Sequence, residues 1–164
     1  MVSRALSIGC ALVLVLVLAA CGDQRSSTRG VDPPTLSPVI ETVILPQVVP
    51  LTPVFGFGCP FVPPFTSAFD IIVRERAGLD VFMDRVSLQF IDGTNLGASP
   101  ITIPQLEIAR RFPSTLIRGF GSRSFRFTPQ FGCGIGVPRS LLAELLFLDR
   151  FDRRHRSTLR VALR

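Results

Sequence analysis

Phe69-Asp70-Ile71-Ile72-Val73-Arg74 and Val86-Ser87-Leu88-Gln89-Phe90 decide the fold class. In the first stretch Phe69, Ile71 and Val73 fall on one side of an extended chain; in the second Val86, Leu88 and Phe90 do. Side chains of a strand alternate between its two faces, so each stretch reads as a strand with one face in a core. Arg76-Ala77-Gly78-Leu79 supplies the turn between them, and Asp92-Gly93-Thr94-Asn95 ends the second with turn-forming residues. The alternating oxygen ligands of a calcium loop are absent from that turn.

Downstream, Ser124-Phe125-Arg126-Phe127 alternates again, with Phe125 and Phe127 inward, Arg123 and Arg126 outward, and Pro129 as the stop. Pro100 to Pro113 carries Ile101, Ile103, Leu106 and Ile108 with no clear period, and reads as a short strand with loops. Leu141 to Leu148 is rich in helix formers, and Ser140 could cap a helix there. A strand buried on both faces would read the same way. Ser157 to Leu163 is a strong strand candidate and Asp149 to Arg156 a hydrophilic connector of hairpin type, so Leu141 to Leu148 is assigned as its partner strand. Upstream, nine prolines between Pro33 and Pro64 forbid a long helix and confine strands to edges. Val39 to Leu45 is the clean run there; Val48 to Phe57, broken by Pro50 and Pro53, is expected to be extended and to pack rather than pair.

About seven short strands at roughly ten-residue spacing predict an all-β, two-sheet antiparallel sandwich over residues 37–164. The pattern resembles immunoglobulin-like and fibronectin-like domains. It departs from immunoglobulins in having no tryptophan to pack on a bridge, and in placing Cys59 and Cys133 in Gly/Pro-flanked stretches.

The amino terminus has a different character. Met1 to Arg4 is a short positive start, and Ala5 to Ala20 is a run of sixteen mostly apolar residues. At about 1.5 Å per residue that run spans about 24 Å as a helix, short of the roughly 30 Å hydrocarbon core, so it reads as an export signal over residues 1–20. Leu18-Ala19-Ala20-Cys21 resembles the lipobox of bacterial prolipoproteins. The resemblance implies cleavage before Cys21, a diacylglyceryl group on its thiol, and a lipid-anchored protein of the cell envelope. Gly22 stands where the family's inner-membrane retention signal would be an aspartate, which favours the outer membrane. Residues 21–36, polar and then proline-bearing, form a flexible tether.

Composition narrows the function. All eighteen basic residues are arginine, and lysine, tyrosine and tryptophan are absent, as GC-rich coding would produce. With Cys10 in the signal and Cys21 lipidated, Cys59 and Cys133 remain, which in an exported domain reads as one disulfide. A phosphate loop at either glycine-rich cysteine stretch lacks its Gly-Lys-Ser/Thr. With His155 as the sole histidine and no cysteine cluster, neither a metal nor another cofactor is expected.

A hydrolase triad would have to use that His155 inside a solvated turn, with Ser157 nearby but no Gly-x-Ser-x-Gly elbow, so the chain reads as a non-enzyme. Arg150, Arg153, Arg154 and Arg156 are the polyanion-binding candidates, since guanidinium forks grip phosphate and carboxylate. The plain alternative is a charged hairpin tip that keeps a strand edge soluble. The expected partners are the membrane through the lipid, an envelope protein, and anionic lipid, lipopolysaccharide or acidic glycan; export argues against nucleic acid. The reading is a binding or structural module, with a polyanion binder and a small hydrolase as alternatives.

Overall fold

A computed structural model describes residues 36–55, 63–92, 99–132 and 136–164. Cys21, Cys59 and Cys133 lie outside these residues, as do the export signal and all of the tether up to Thr35. The body begins at Leu36.

The alternating stretches become the centres of two layers. In the first, β5 (Phe69–Glu75) lies between β1 (Ile40–Leu45) and β9 (Ser122–Phe127), antiparallel to both. One residue before β5, β4 (Phe65–Ser67) pairs with β3 (Leu51–Pro53) and with β10 (Gln130–Phe131). The order β3-β4-β10 repeats β1-β5-β9 along the same chain segments, so the two small sheets continue one another. In the second layer β11 (Pro138–Asp149) is flanked by β12 (Arg154–Leu163) and β6 (Val81–Asp92). Beyond β6 come β7 (Ile101–Pro104) and, at its start, β8 (Leu116–Ile117). Beyond β12 comes β2 (Val48–Val49), in a parallel pairing within an otherwise antiparallel fold.

Phe69, Ile71, Val73, Phe125 and Phe127 from one layer meet Met83, Val86, Leu88, Leu145 and Phe147 from the other, all essentially without solvent exposure. Burying each such side chain is worth about 1.5–3 kcal/mol, which makes this interlayer core the main source of stability. The register between β6 and β11 slips where Met83 pairs with Phe147 and Arg85 with Leu146. This bulge lets Met83 and Val86, three residues apart, both face inward. The all-β sandwich predicted from alternation is the fold.

Several local expectations are corrected. Pro100 to Pro113 is not strand and loops alone: after β7 it forms α1 (Gln105–Arg111). Ile108 of α1 is fully buried, and Phe112 just after it meets the rings of Phe125 and Phe127 edge-on, at 5.1 and 5.5 Å between centroids. Glu107 in its first turn and Arg110 and Arg111 in its last suit the helix dipole. Val48 to Phe57 pairs as well as packs, with Pro53 in the edge strand β3, where the missing N–H faces no partner. Arg123 is not outward; it shares the inner-face parity of Phe125, and its guanidinium donates to the Ser114 carbonyl at 3.2 Å. Asp149 to Arg156 is not all connector. β11 runs through Asp149 and β12 begins at Arg154, so the turn is residues 150–153 and His155 lies in a strand.

Candidate functional site

Register fixes which loops share an end of the sandwich. Asp149 pairs with Val81, Val81 with Ile117, and Glu75 with Ile40. The β11–β12 turn, the β5–β6 turn, the β8–β9 turn and the chain's arrival at Leu36 therefore all lie at one end. Two buried carboxylates organise it.

Asp149 closes β11 with its side chain only 1% exposed. Its Oδ1 accepts from the Phe151 and Arg153 backbone N–H groups at 2.8 and 3.0 Å, and its Oδ2 accepts from Arg153 Nε at 2.7 Å. His155 Nε2 lies 3.1 Å from the same Oδ2. Burial raises the Asp149 carboxyl, but the bonds from His155, from the Arg153 and Phe151 backbones and from the Arg153 side chain prevail and hold it well below the ordinary range. Arg153 also donates to the Leu36 carbonyl at 2.8 Å, tying the incoming chain to the hairpin.

Glu75 closes β5 in the same way. Its Oε1 accepts from the backbone N–H of Val39 (3.1 Å) and Ala77 (2.8 Å), and its Oε2 from those of Gly78 (2.7 Å), Leu79 (3.0 Å) and Phe120 (3.2 Å). Desolvation pushes this carboxyl up, yet the converging N–H groups outweigh it and leave it below its usual value. One carboxylate thus binds three separate segments, which is an architectural role. Gly78, at φ +82°, is needed here because a Cβ would lie 2.6 Å from the Phe120 ring.

Sequence reasoning placed Asp149 in the hydrophilic connector and assigned Glu75, between the strand ending at Arg74 and the turn starting at Arg76, no role. The signal that would have found them is parity: Glu75 continues the inward series Phe69, Ile71, Val73, and Asp149 continues Leu145, Phe147. An acid in phase with a buried face is a hairpin brace or a site.

The four candidate arginines are not one cluster. Arg153 is held by Asp149, and Arg156 Nε lies 3.5 Å from Glu144 Oε1 on the outer face of the second layer. Arg150 and Arg154 pair with no carboxylate among the described residues. The Arg150 and Arg153 guanidinium carbons sit 4.7 and 5.2 Å from the Phe151 ring centroid, flanking an aromatic that is 58% exposed. Residues 36–164 hold fifteen arginines against ten acids, and residues 138–164 hold seven against three, so the last hairpin carries nearly all of the excess charge.

His155 and Ser157 share the inner parity of β12, but Ser157 Oγ is 2.6 Å from Thr42 Oγ1, where it joins β12 to β1 across the layers. Two grooves open along the sides of the sandwich. One, of about 280 Å³, is lined by residues including Thr42, Ile44, Gln47 and Leu159; the other, of about 240 Å³, by residues including Ile101, Ile103, Phe127 and Gln130. Both fall below the roughly 300–1,000 Å³ of small-molecule pockets. Among the described residues no three His, Cys, Asp or Glu side chains gather as a metal site, and no helix is long and apolar enough to cross a membrane.

No protein family matches the chain, and no curated protein matches it. Solved structures similar to it include an X-ray structure of a Northeast Structural Genomics Consortium target, at 6% identity and TM-score 0.48, covering 77% of this chain and 87% of that one. Another is a Bordetella pertussis protein described as ApaA, at 6% identity and TM-score 0.49, covering 79% and 98%. Likeness this distant carries no argument about activity.

Proposed function

We propose that the chain is an exported, lipid-anchored protein of the cell envelope whose sandwich serves as a non-catalytic binding or structural module. The observation that carries this reading is the order of features in the sequence: an apolar run ending in Leu18-Ala19-Ala20-Cys21, a polar proline-bearing stretch, and then the body from Leu36. Cleavage before Cys21 would leave a thiol for the lipid and a tether of fifteen residues, Cys21 to Thr35, at most about 50 Å when extended. Two or three acyl chains on that cysteine give stable attachment, at about 0.8 kcal/mol per buried CH₂. The outer membrane is the favoured address and an envelope protein the favoured partner.

A disulfide between Cys59 and Cys133 belongs to the same reading. Cys59 falls in the loop closed by the Val54 N–H and the Pro64 carbonyl at 2.8 Å, between β3 and β4. Cys133 follows β10, whose Phe131 pairs with Phe65 of β4. The stretch that carries Cys59 leads into Phe65 and the one that carries Cys133 leads out of Phe131, and these two residues are paired neighbours, which supports the pairing.

The hydrolase alternative would keep His155 on Asp149 as its orienting acid, but would need Ser157 to leave Thr42 and reach the other nitrogen of the His155 ring. Its test is a substrate screen in which any turnover must vanish in His155→Ala. For the main reading, cells grown with an alkyne-bearing fatty acid should label the wild-type protein and not Cys21→Ser. Equal labelling of both, or of neither, would overturn it.

A further inference from the structure

We infer that the end of the sandwich where the chain arrives is a membrane-docking face, seated on anionic lipid headgroups with Phe151 and Phe120 at the level of the acyl boundary. This rests on the anchored reading above and adds an orientation to it.

Three independent features coincide at that end. First, the two turns there present aromatic rings to water: Phe151 is 58% exposed and Phe120 78%. Phe120 stands at φ +57°, a left-handed conformation that a bulky residue adopts only when its surroundings impose it. The bond from its N–H to Glu75 and its ring contact with Gly78 impose it, and the ring is presented outward. Second, the charge complements an anionic surface. Arg150 and Arg153 flank the Phe151 ring, and Arg154 follows where β12 begins, on its outer face. An aromatic with guanidinium groups at its sides suits the boundary between acyl chains and phosphates. Third, the chain arrives there, because Arg153 binds the Leu36 carbonyl and Glu75 the Val39 N–H. A tether from Cys21 would therefore join the body at this end and not at the opposite one. Leu36 and Val39, both exposed, extend the apolar part of the face.

The occupant argued for is a lipid surface. A protein bound here would not depend on anionic lipid, so the comparison of neutral with anionic vesicles below separates the two occupants.

The chain contains no tryptophan, so single substitutions report position cleanly. The experiment places the lipidated mature protein, its acyl adduct verified by mass, on phosphatidylcholine vesicles with or without about one-third phosphatidylglycerol. Tryptophan is introduced by Phe151→Trp, by Phe120→Trp, or by Phe55→Trp as a control. Phe55 is 83% exposed beside β3, at the opposite end of the sandwich.

On anionic vesicles the probes at 151 and 120 should shift to the blue and be quenched by brominated lipid, while the probe at 55 stays unchanged. Arg150→Gln with Arg154→Gln should lower the docked-to-free ratio about 30-fold, about fivefold per arginine at the surface. Raising salt to about 1 M, where the Debye length is about 3 Å, should do much the same.

Equal emission and quenching at 151 on neutral and anionic vesicles would overturn the inference, and so would quenching at 55 in place of 151. Failure of the anchor reading looks different: the native product then lacks the acyl mass. The unlipidated chain titrated against the same anionic vesicles, with the same probes, would still confirm or refute the docking face.

Discussion

Replacing Glu75 by glutamine takes one acceptor away from five converging backbone N–H groups. In the least damaging orientation the amide oxygen keeps Gly78, Leu79 and Phe120, and the NH₂ group confronts the N–H groups of Val39 and Ala77. Two charge-assisted bonds are lost, and three pass from charged to neutral, about half as strong. Four of the five donors are only partly buried, so water recovers part of the loss. At about 1 kcal/mol for each bond lost and about 0.5 for each bond weakened, the cost is about 3.5 kcal/mol. A domain of this size is stable by about 5–15 kcal/mol, so the variant folds but is visibly weakened. Urea unfolding should show a lower midpoint with an unchanged slope, since the surface exposed on unfolding is the same. Hydrogen exchange should quicken first at Val39 and Ala77, the two amides left without an acceptor. A midpoint corresponding to less than about 0.5 kcal/mol of loss, with those amides still protected, would refute the brace.

Asp149→Asn should cost about 2 kcal/mol in the same assay and free the Arg153 side chain, because the amide cannot accept from two N–H groups and a guanidinium together. Wild-type stability should hold from neutral pH to about pH 5 and fall below about pH 4: Glu75 and Asp149 both bind protons less readily folded than unfolded, so the unfolded chain gains protons first. The gap between wild type and Glu75→Gln should narrow over the same acid range. Gly78→Ala should cost about 1–2 kcal/mol through its positive φ and the clash with Phe120, seen as a lower thermal midpoint. Reduction of the purified protein should cost about 3–4 kcal/mol if Cys59 and Cys133 close a loop of about 75 residues, and Cys59→Ser with Cys133→Ser should be insensitive to reductant.

The layers were legible because β5, β9 and the second half of β6 each bury one face, and alternation registers burial on a single face directly. β11 was harder. Leu142, Leu146 and Leu148 on its outer face are apolar like the inner series, and only the strand character of its partner β12 separated it from a helix. α1 was hidden by its length: of its seven residues Ile108 alone is buried, and Leu106 faces water, so no period of 3.6 can form. The bulge at Asp84 and Arg85 broke the alternation in β6 and concealed its first half. The hairpin arginines were visible as a run, but their division between Asp149, Glu144 and solvent depends on strand register, which spacing does not supply. The alignment of Leu36 with that hairpin is likewise a product of tertiary pairing.

The intact mass of the protein isolated from its native membrane tests the central claim most directly. The account predicts a chain that starts at Cys21, heavier than its residues by a diacylglyceryl adduct on that cysteine. A product retaining residues 1–20, or one starting at Cys21 with no added acyl mass, would contradict it.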